Sequence, residues 1–95
     1  MDNLPKSLRS EGKRFYQKIM LDYSIDDEAG KALLQTASEA WDRCKDAQSI
    51  IRKDGLILID RFGQKKPHPA CAIERDSRAA VVSALKALNL SPGVM

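Results

Sequence analysis

Histidine, cysteine and aromatic residues are scarce in this chain, and each scarcity excludes something. One histidine, His68, and two well-separated cysteines, Cys44 and Cys71, offer no Cys/His spacing of the kind that holds zinc. Both cysteines fall at apolar positions of helical segments, so no disulfide framework is expected and the chain reads as one of a reducing cytosol. No apolar run approaches the roughly 20 residues needed to span a bilayer, and no signal-peptide pattern opens the sequence. Internal repeats, glycine-rich phosphate loops and nucleotide motifs are missing. Nothing places a nucleophile, a base and an orienting group together, which argues against an enzyme and against a bound cofactor.

What is present is a soluble globular composition, 43% hydrophobic and 31% charged over 95 residues. That length makes one domain, 1–95, with a core that is marginal without packing partners. The net charge of +3 is unevenly spread. Residues 1–20 carry five basic and two acidic side chains, residues 21–54 five and eight, and residues 55–95 six and three. An acidic middle between two basic ends directs any polyanion to the ends, although at so modest an excess ordinary solvated charge is an equal reading.

The stretch 26–54 organises the rest. Its apolar residues recur at Leu34, Ala37, Trp41, Cys44 and Ile51, with a second row at Leu33, Ala40, Ala47 and Ile50, in steps of three and four that predict one long helix. Asp26 or Ser24 is the expected cap, and Gly55 the stop. Such a rod is about 40 Å long, against a diameter near 30 Å for a compact domain of this size. It must kink near Gly30 or bury part of its face against another copy. The pairs Asp27–Lys31 and Glu39–Arg43 are spaced to support it.

Before it, 8–22 reads as a first helix, capped by Ser7 or Ser10, with Leu8, Gly12, Phe15 and Ile19 facing inward. Lys13, Arg14 and Lys18 fall outside, with Lys6 and Arg9 at its start. This is a face for phosphates or simply the wet side of an amphipathic helix. After Gly55, the run Leu56 to Ile59 is apolar on both faces and has strand length. Asp60 to Gly63 is a turn, and Gln64-Lys65-Lys66 returns, so 56–66 reads as a β-hairpin. A two-stranded ribbon does not stand alone in water. One face is expected on the chain's own helices and the other against a neighbour. A last helix covers 69–89, with Pro69 at its first position and His68 as a helix-start residue. Its expected inner face is Ala70, Ile73, Ala80, Val81, Ala84, Leu85 and Leu88, with Glu74 and Arg78 paired outside. The fold class is therefore mainly α with a small β-hairpin, in the order helix, long helix, hairpin, helix, and oligomeric.

Particular residues go further than the pattern. Asp54-Gly55, Leu56 to Ile59, Arg61-Phe62-Gly63-Gln64, His68-Pro69-Ala70, Glu74-Arg75-Asp76-Ser77-Arg78 and Ala87-Leu88-Asn89-Leu90-Ser91-Pro92 follow one another in order. They are preceded by Gly12 with Phe15 and Tyr16, by Leu33-Leu34, and by Ala40-Trp41-Asp42-Arg43. This succession, over roughly residues 8–92, resembles the small terminase subunit of tailed phages, in its short helix–hairpin–helix type. The resemblance implies a non-catalytic subunit of a genome-packaging motor. It implies assembly into a ring, binding to phage double-stranded DNA, and a large-subunit partner that carries the ATPase and nuclease, all in the host cytoplasm and without a membrane.

On this reading Lys6, Arg9, Lys13, Arg14 and Lys18 are the candidate phosphate contacts, with Lys65 and Lys66 of the hairpin second. Leu34, Trp41, Ile51, Ile57 and Ile59 are the candidate contacts between copies. Two other readings stand beside it. One is a dimeric helical DNA-binding regulator, which needs a recognition helix that is not evident here. The other is a structural phage adaptor that does not bind DNA.

Overall fold

The computed structural model describes residues 4–90. Three helices and one antiparallel hairpin follow in the order α1 (Ser10–Tyr23), α2 (Glu28–Asp54), β1 (Ile57–Ile59), β2 (Lys65–Pro67) and α3 (Pro69–Ala87). The chain is mainly helical, as the periodicity implies. No helix among the described residues is long and apolar enough to cross a membrane.

The long helix is unbroken. Gly30 lies in its first turn, where the Asp27 carboxylate accepts the Gly30 N–H at 3.0 Å. A Cβ at position 30 would come within 2.7 Å of both Asp27 and Ile25, so the glycine belongs to the cap and is no kink. The cap is thus Asp27, neither Asp26 nor Ser24, because its extended backbone aims the carboxylate back at the first turn. That role also takes Asp27 away from Lys31. The Glu39 carboxylate bonds directly to the Ser7 hydroxyl at 2.6 Å and the Gln35 amide at 3.2 Å, and Arg43 acts on it only through its charge, without a direct ion pair.

Both shorter helices run antiparallel to α2. α1 meets it from Asp46 downward, through Arg9 and Asp46, Gly12 and Asp42, then Tyr16 and Leu34. α3 meets it along its length, from His68 at Asp54, past Glu74 at Cys44 and Gln48, to Leu88 against the Leu8–Tyr16–Leu34 core. The α2–α3 seam is built from small residues, Ala37, Ala40, Cys44 and Ala47 facing Ala70, Ser77, Val81 and Ala84, which lets the two helices approach closely. Ile73, expected inside, is 50% exposed. That flank of α3 is uncovered among the described residues.

The result is a rod, 54 × 29 × 20 Å, with a radius of gyration of 16.1 Å. A compact chain of this length would have about 12 Å. The hairpin stands past the end of the bundle, and among the described residues its strands gain little of the expected cover from the chain's own helices. Leu56, Ile57, Leu58 and Ile59 are 39–67% exposed, and both strands are exposed throughout.

Candidate nucleic-acid interface

α1 starts without a side-chain cap of its own, since Arg9 and neither Ser7 nor Ser10 occupies that position. Asp42 of α2 supplies the cap instead. Its two carboxylate oxygens accept the N–H groups of Arg9 at 2.8 Å and of Gly12 at 2.7 Å. Beside this contact Phe15 and Trp41 stack with ring centroids 4.9 Å apart and 16° between planes, and Lys45 lies 4.8 Å over the indole. α1 is therefore held on α2 by its inner side, and the outer side is presented to solvent at a set orientation.

That outer side carries Lys13, Arg14 and Lys18, all exposed. Arg14 has a partner in Glu11 at 3.6 Å. Among the described residues no carboxylate lies within ion-pair distance of Lys13 or Lys18. Arg9 differs from these: its guanidinium is paired with Asp46 and its charge is turned toward α2. Lys6 is exposed in the turn that precedes α1.

The hairpin lysines are a separate group. Arg9 meets α2 at Asp46, eight residues or about 12 Å before the end of α2, beyond which the hairpin begins. In the register Ile57–Pro67, Leu58–Lys66 and Ile59–Lys65, Lys65 shares a face with Ile57 and Ile59 while Lys66 shares the other with Leu58. Lys66 reaches Asp60 at 3.6 Å. The turn is tied by Asp60, whose carboxylate accepts the N–H groups of Phe62 and Gln64 at 2.9 Å, with Gly63 at a φ of 78°. The guanidinium of Arg61 lies 5.0 Å over the Phe62 ring. Sequence reasoning passed over Arg61 and Lys45, though each left a signal: one is adjacent to an aromatic residue in a turn, the other four residues past a helical tryptophan.

The five candidate contacts between copies also separate. Leu34 is 0% exposed within the chain's own core and has no surface to offer a second copy. It packs on Leu8 and Tyr16 because α1 covers that part of α2. Trp41 is half-buried under Phe15 and keeps one edge outside. Ile51, Ile57 and Ile59 lie at the hairpin end, with the two strand residues 54% and 67% exposed.

The remaining polar network is structural. The Gln48 amide, at 3.1 Å, and the Arg78 guanidinium hold the Glu74 carboxyl below its ordinary value. The Ser7 hydroxyl, then Gln35, does the same for Glu39. Burial, then the neighbouring Glu74 charge, pushes the Cys44 thiol up. Cys44 and Cys71 are both free thiols. Among the described residues no group of His, Cys, Asp or Glu is arranged to hold a metal ion.

Compared with known proteins, residues 17–93 match the family model described as phage terminase, small subunit. No curated protein and no solved structure matches the chain.

Proposed function

The chain belongs to the phage terminase small-subunit family, and from that premise we propose that it is the non-catalytic, DNA-binding subunit of a packaging motor. It assembles with itself into a ring in the host cytoplasm, binds phage double-stranded DNA, and recruits and regulates the large ATPase/nuclease subunit. The observation that carries DNA binding is the outer side of α1, where Lys13 and Lys18 face solvent beside Arg14 on a helix clamped from behind by Asp42. Lysines held this way contact phosphates and position a duplex without reading its bases. Lys6 extends the same surface, and Lys65 and Lys66 are a second choice, open to DNA only where the hairpin is not engaged by another copy. Self-association is supported by the bare hairpin and by a rod that the described residues leave uncovered at one end.

The test is duplex binding followed by fluorescence anisotropy over a range of salt, with light scattering on the same samples. Wild-type affinity falls steeply as salt rises. A Lys13→Ala/Arg14→Ala/Lys18→Ala variant binds more weakly with a shallower salt slope, by about 0.9 for each phosphate it no longer neutralises. An unchanged slope removes α1 as the DNA surface. A monomeric mass at micromolar concentration removes the ring.

A further inference from the structure

We propose that copies of this chain join head to tail, with the hairpin of one copy seated in the groove between α1 and α2 of the next. This rests on the reading that the protein self-associates, and it names the two surfaces that do so.

The groove lies at the end of the rod opposite the hairpin. It holds about 700 Å³ and is lined by Leu4, Tyr16, Met20 and Leu21 together with Gln17, Glu28 and Lys31. Leu21 is 82% exposed, the barest large apolar side chain among the described residues. The hairpin presents an apolar projection. Ile57 and Ile59 share one face, and Phe62 projects from the turn at 75% exposure. Among the described residues nothing of the same chain covers either surface. A protruding aromatic with flanking aliphatics is the kind of anchor that fills a pocket on a partner.

Charge identifies the partner as the same protein. Around the groove, the end of α1 and the start of α2 carry Asp22, Asp26, Asp27 and Glu28 against Lys18 and Lys31, an acidic excess even with Asp27 engaged in the cap. Around the hairpin stand Arg52, Lys53, Arg61, Lys65 and Lys66 against Asp54 and Asp60. One end is acidic about an apolar groove and the other basic about an apolar projection. Opposed rims of this kind fix register and disfavour like ends meeting, so hairpin-to-hairpin contact is disfavoured. A contact using two different surfaces of each copy is heterologous, and it closes into a ring when the rotation between copies permits.

The test is a charge swap read by native mass. One variant reverses the hairpin, Arg61→Glu/Lys65→Glu, which spares the Lys66–Asp60 pair. The other reverses the groove rim, Asp26→Lys/Glu28→Lys, which spares the Asp27 cap. Thermal melts establish that both fold. Each variant alone is expected to fall to monomer mass at micromolar concentration, and an equimolar mixture to regain the wild-type mass, because each reversed surface then meets its opposite. Phe62→Ala, a change at an exposed turn, is expected to lower the mass without moving the melt. A groove variant that assembles like wild type while the hairpin variant does not overturns the groove as the seat. A mixture of folded variants that stays monomeric overturns the pairing as well. Both variants assembling normally leaves the hairpin to a different protein and overturns the proposal, whereas a monomeric wild type overturns the self-association on which it rests.

Discussion

Asp42 and Gly12 form one structural unit although 30 residues separate them. The Asp42 carboxylate accepts the buried Gly12 N–H at 2.7 Å, and a Cβ at position 12 would overlap that carboxylate and lie 2.9 Å from the Ser38 carbonyl oxygen. Gly12 is thus where α1 comes close enough to α2 to be capped by it. Gly12→Ala raises intrinsic helix propensity by about 1 kcal/mol, yet the overlap is with a packed helix backbone as well as a side chain. A net loss on the order of 2 kcal/mol is expected from overpacking. Urea denaturation checks it, and a variant as stable as wild type would show that α1 does not depend on this approach.

Asp42→Asn tests the carboxylate itself. An amide keeps one acceptor oxygen and turns its NH₂ toward the other donor, so either the Arg9 or the Gly12 N–H is left without a partner. One unsatisfied buried donor costs about 1–3 kcal/mol. The same denaturation assay applies, and the loss should be sub-additive with Gly12→Ala because both changes disrupt the same approach of α1 to α2.

These two residues also show how far the sequence carries. Gly12 and Asp42 both stand in the family-like succession, but as separate fragments. Nothing local indicates that one caps the other, since the contact is made only once α1 folds back along α2. The helices themselves are legible, because period and caps are local. The burial of Tyr16 and the enclosure of Leu34 within the chain's own core are illegible for one shared reason: the angle at which α1 settles on α2 decides which neighbours are covered. The bare hairpin is legible only in part. Its two apolar faces are plain in Leu56 to Ile59, but that neither meets the chain's own helices follows from α1 ending at the level of Asp46, short of the hairpin.

The Phe15–Trp41 stack should couple energetically. Stacked aromatic pairs contribute about 0.5–1.5 kcal/mol beyond their buried area. A double-mutant cycle with Phe15→Leu and Trp41→Leu is expected to return a coupling in that range, and Phe15→Leu should shift the indole emission to the red as water gains access to the ring. A coupling near zero would mean that Trp41 is held by Lys45 and α2 alone.

Acid should loosen the bundle through Glu39 and Glu74. Both carboxyls are held below the ordinary value of 4.5, Glu39 chiefly by the Ser7 hydroxyl and Glu74 chiefly by the Gln48 amide and then by Arg78. A carboxylate with a depressed folded value stabilises the fold above its unfolded value, and that contribution disappears as pH falls through the lower one. Stability should therefore be level down to the ordinary glutamate range and decline below it. Glu74→Gln is expected to flatten that decline, as followed by thermal melts from neutral to acid pH. A variant with the wild-type acid limb would place the effect elsewhere.

His68 joins the hairpin to both of its flanking helices. Its Nδ1 accepts the Ala70 N–H at 3.0 Å and so caps α3, while Nε2 faces Asp54 Oδ2 at 2.9 Å. Accepting through Nδ1 leaves the ring proton on Nε2, which then donates to the carboxylate at the end of α2. The His68 backbone N–H is bonded to the Leu56 carbonyl at 2.8 Å, so one residue fixes both the base of the hairpin and the start of α3. His68→Asn keeps a side-chain acceptor for the cap but cannot also span to Asp54, whereas His68→Ala can do neither. Replacing a cap by alanine costs about 1 kcal/mol. His68→Ala should therefore destabilise the protein by at least that amount and His68→Asn by less. Both should speed amide exchange in β1 and β2 more than in α1, because only the hairpin is released from its anchor. Equal exchange rates in wild type and His68→Ala would mean that the ribbon is held by its own ladder and the Asp60 turn, with the histidine serving α3 alone.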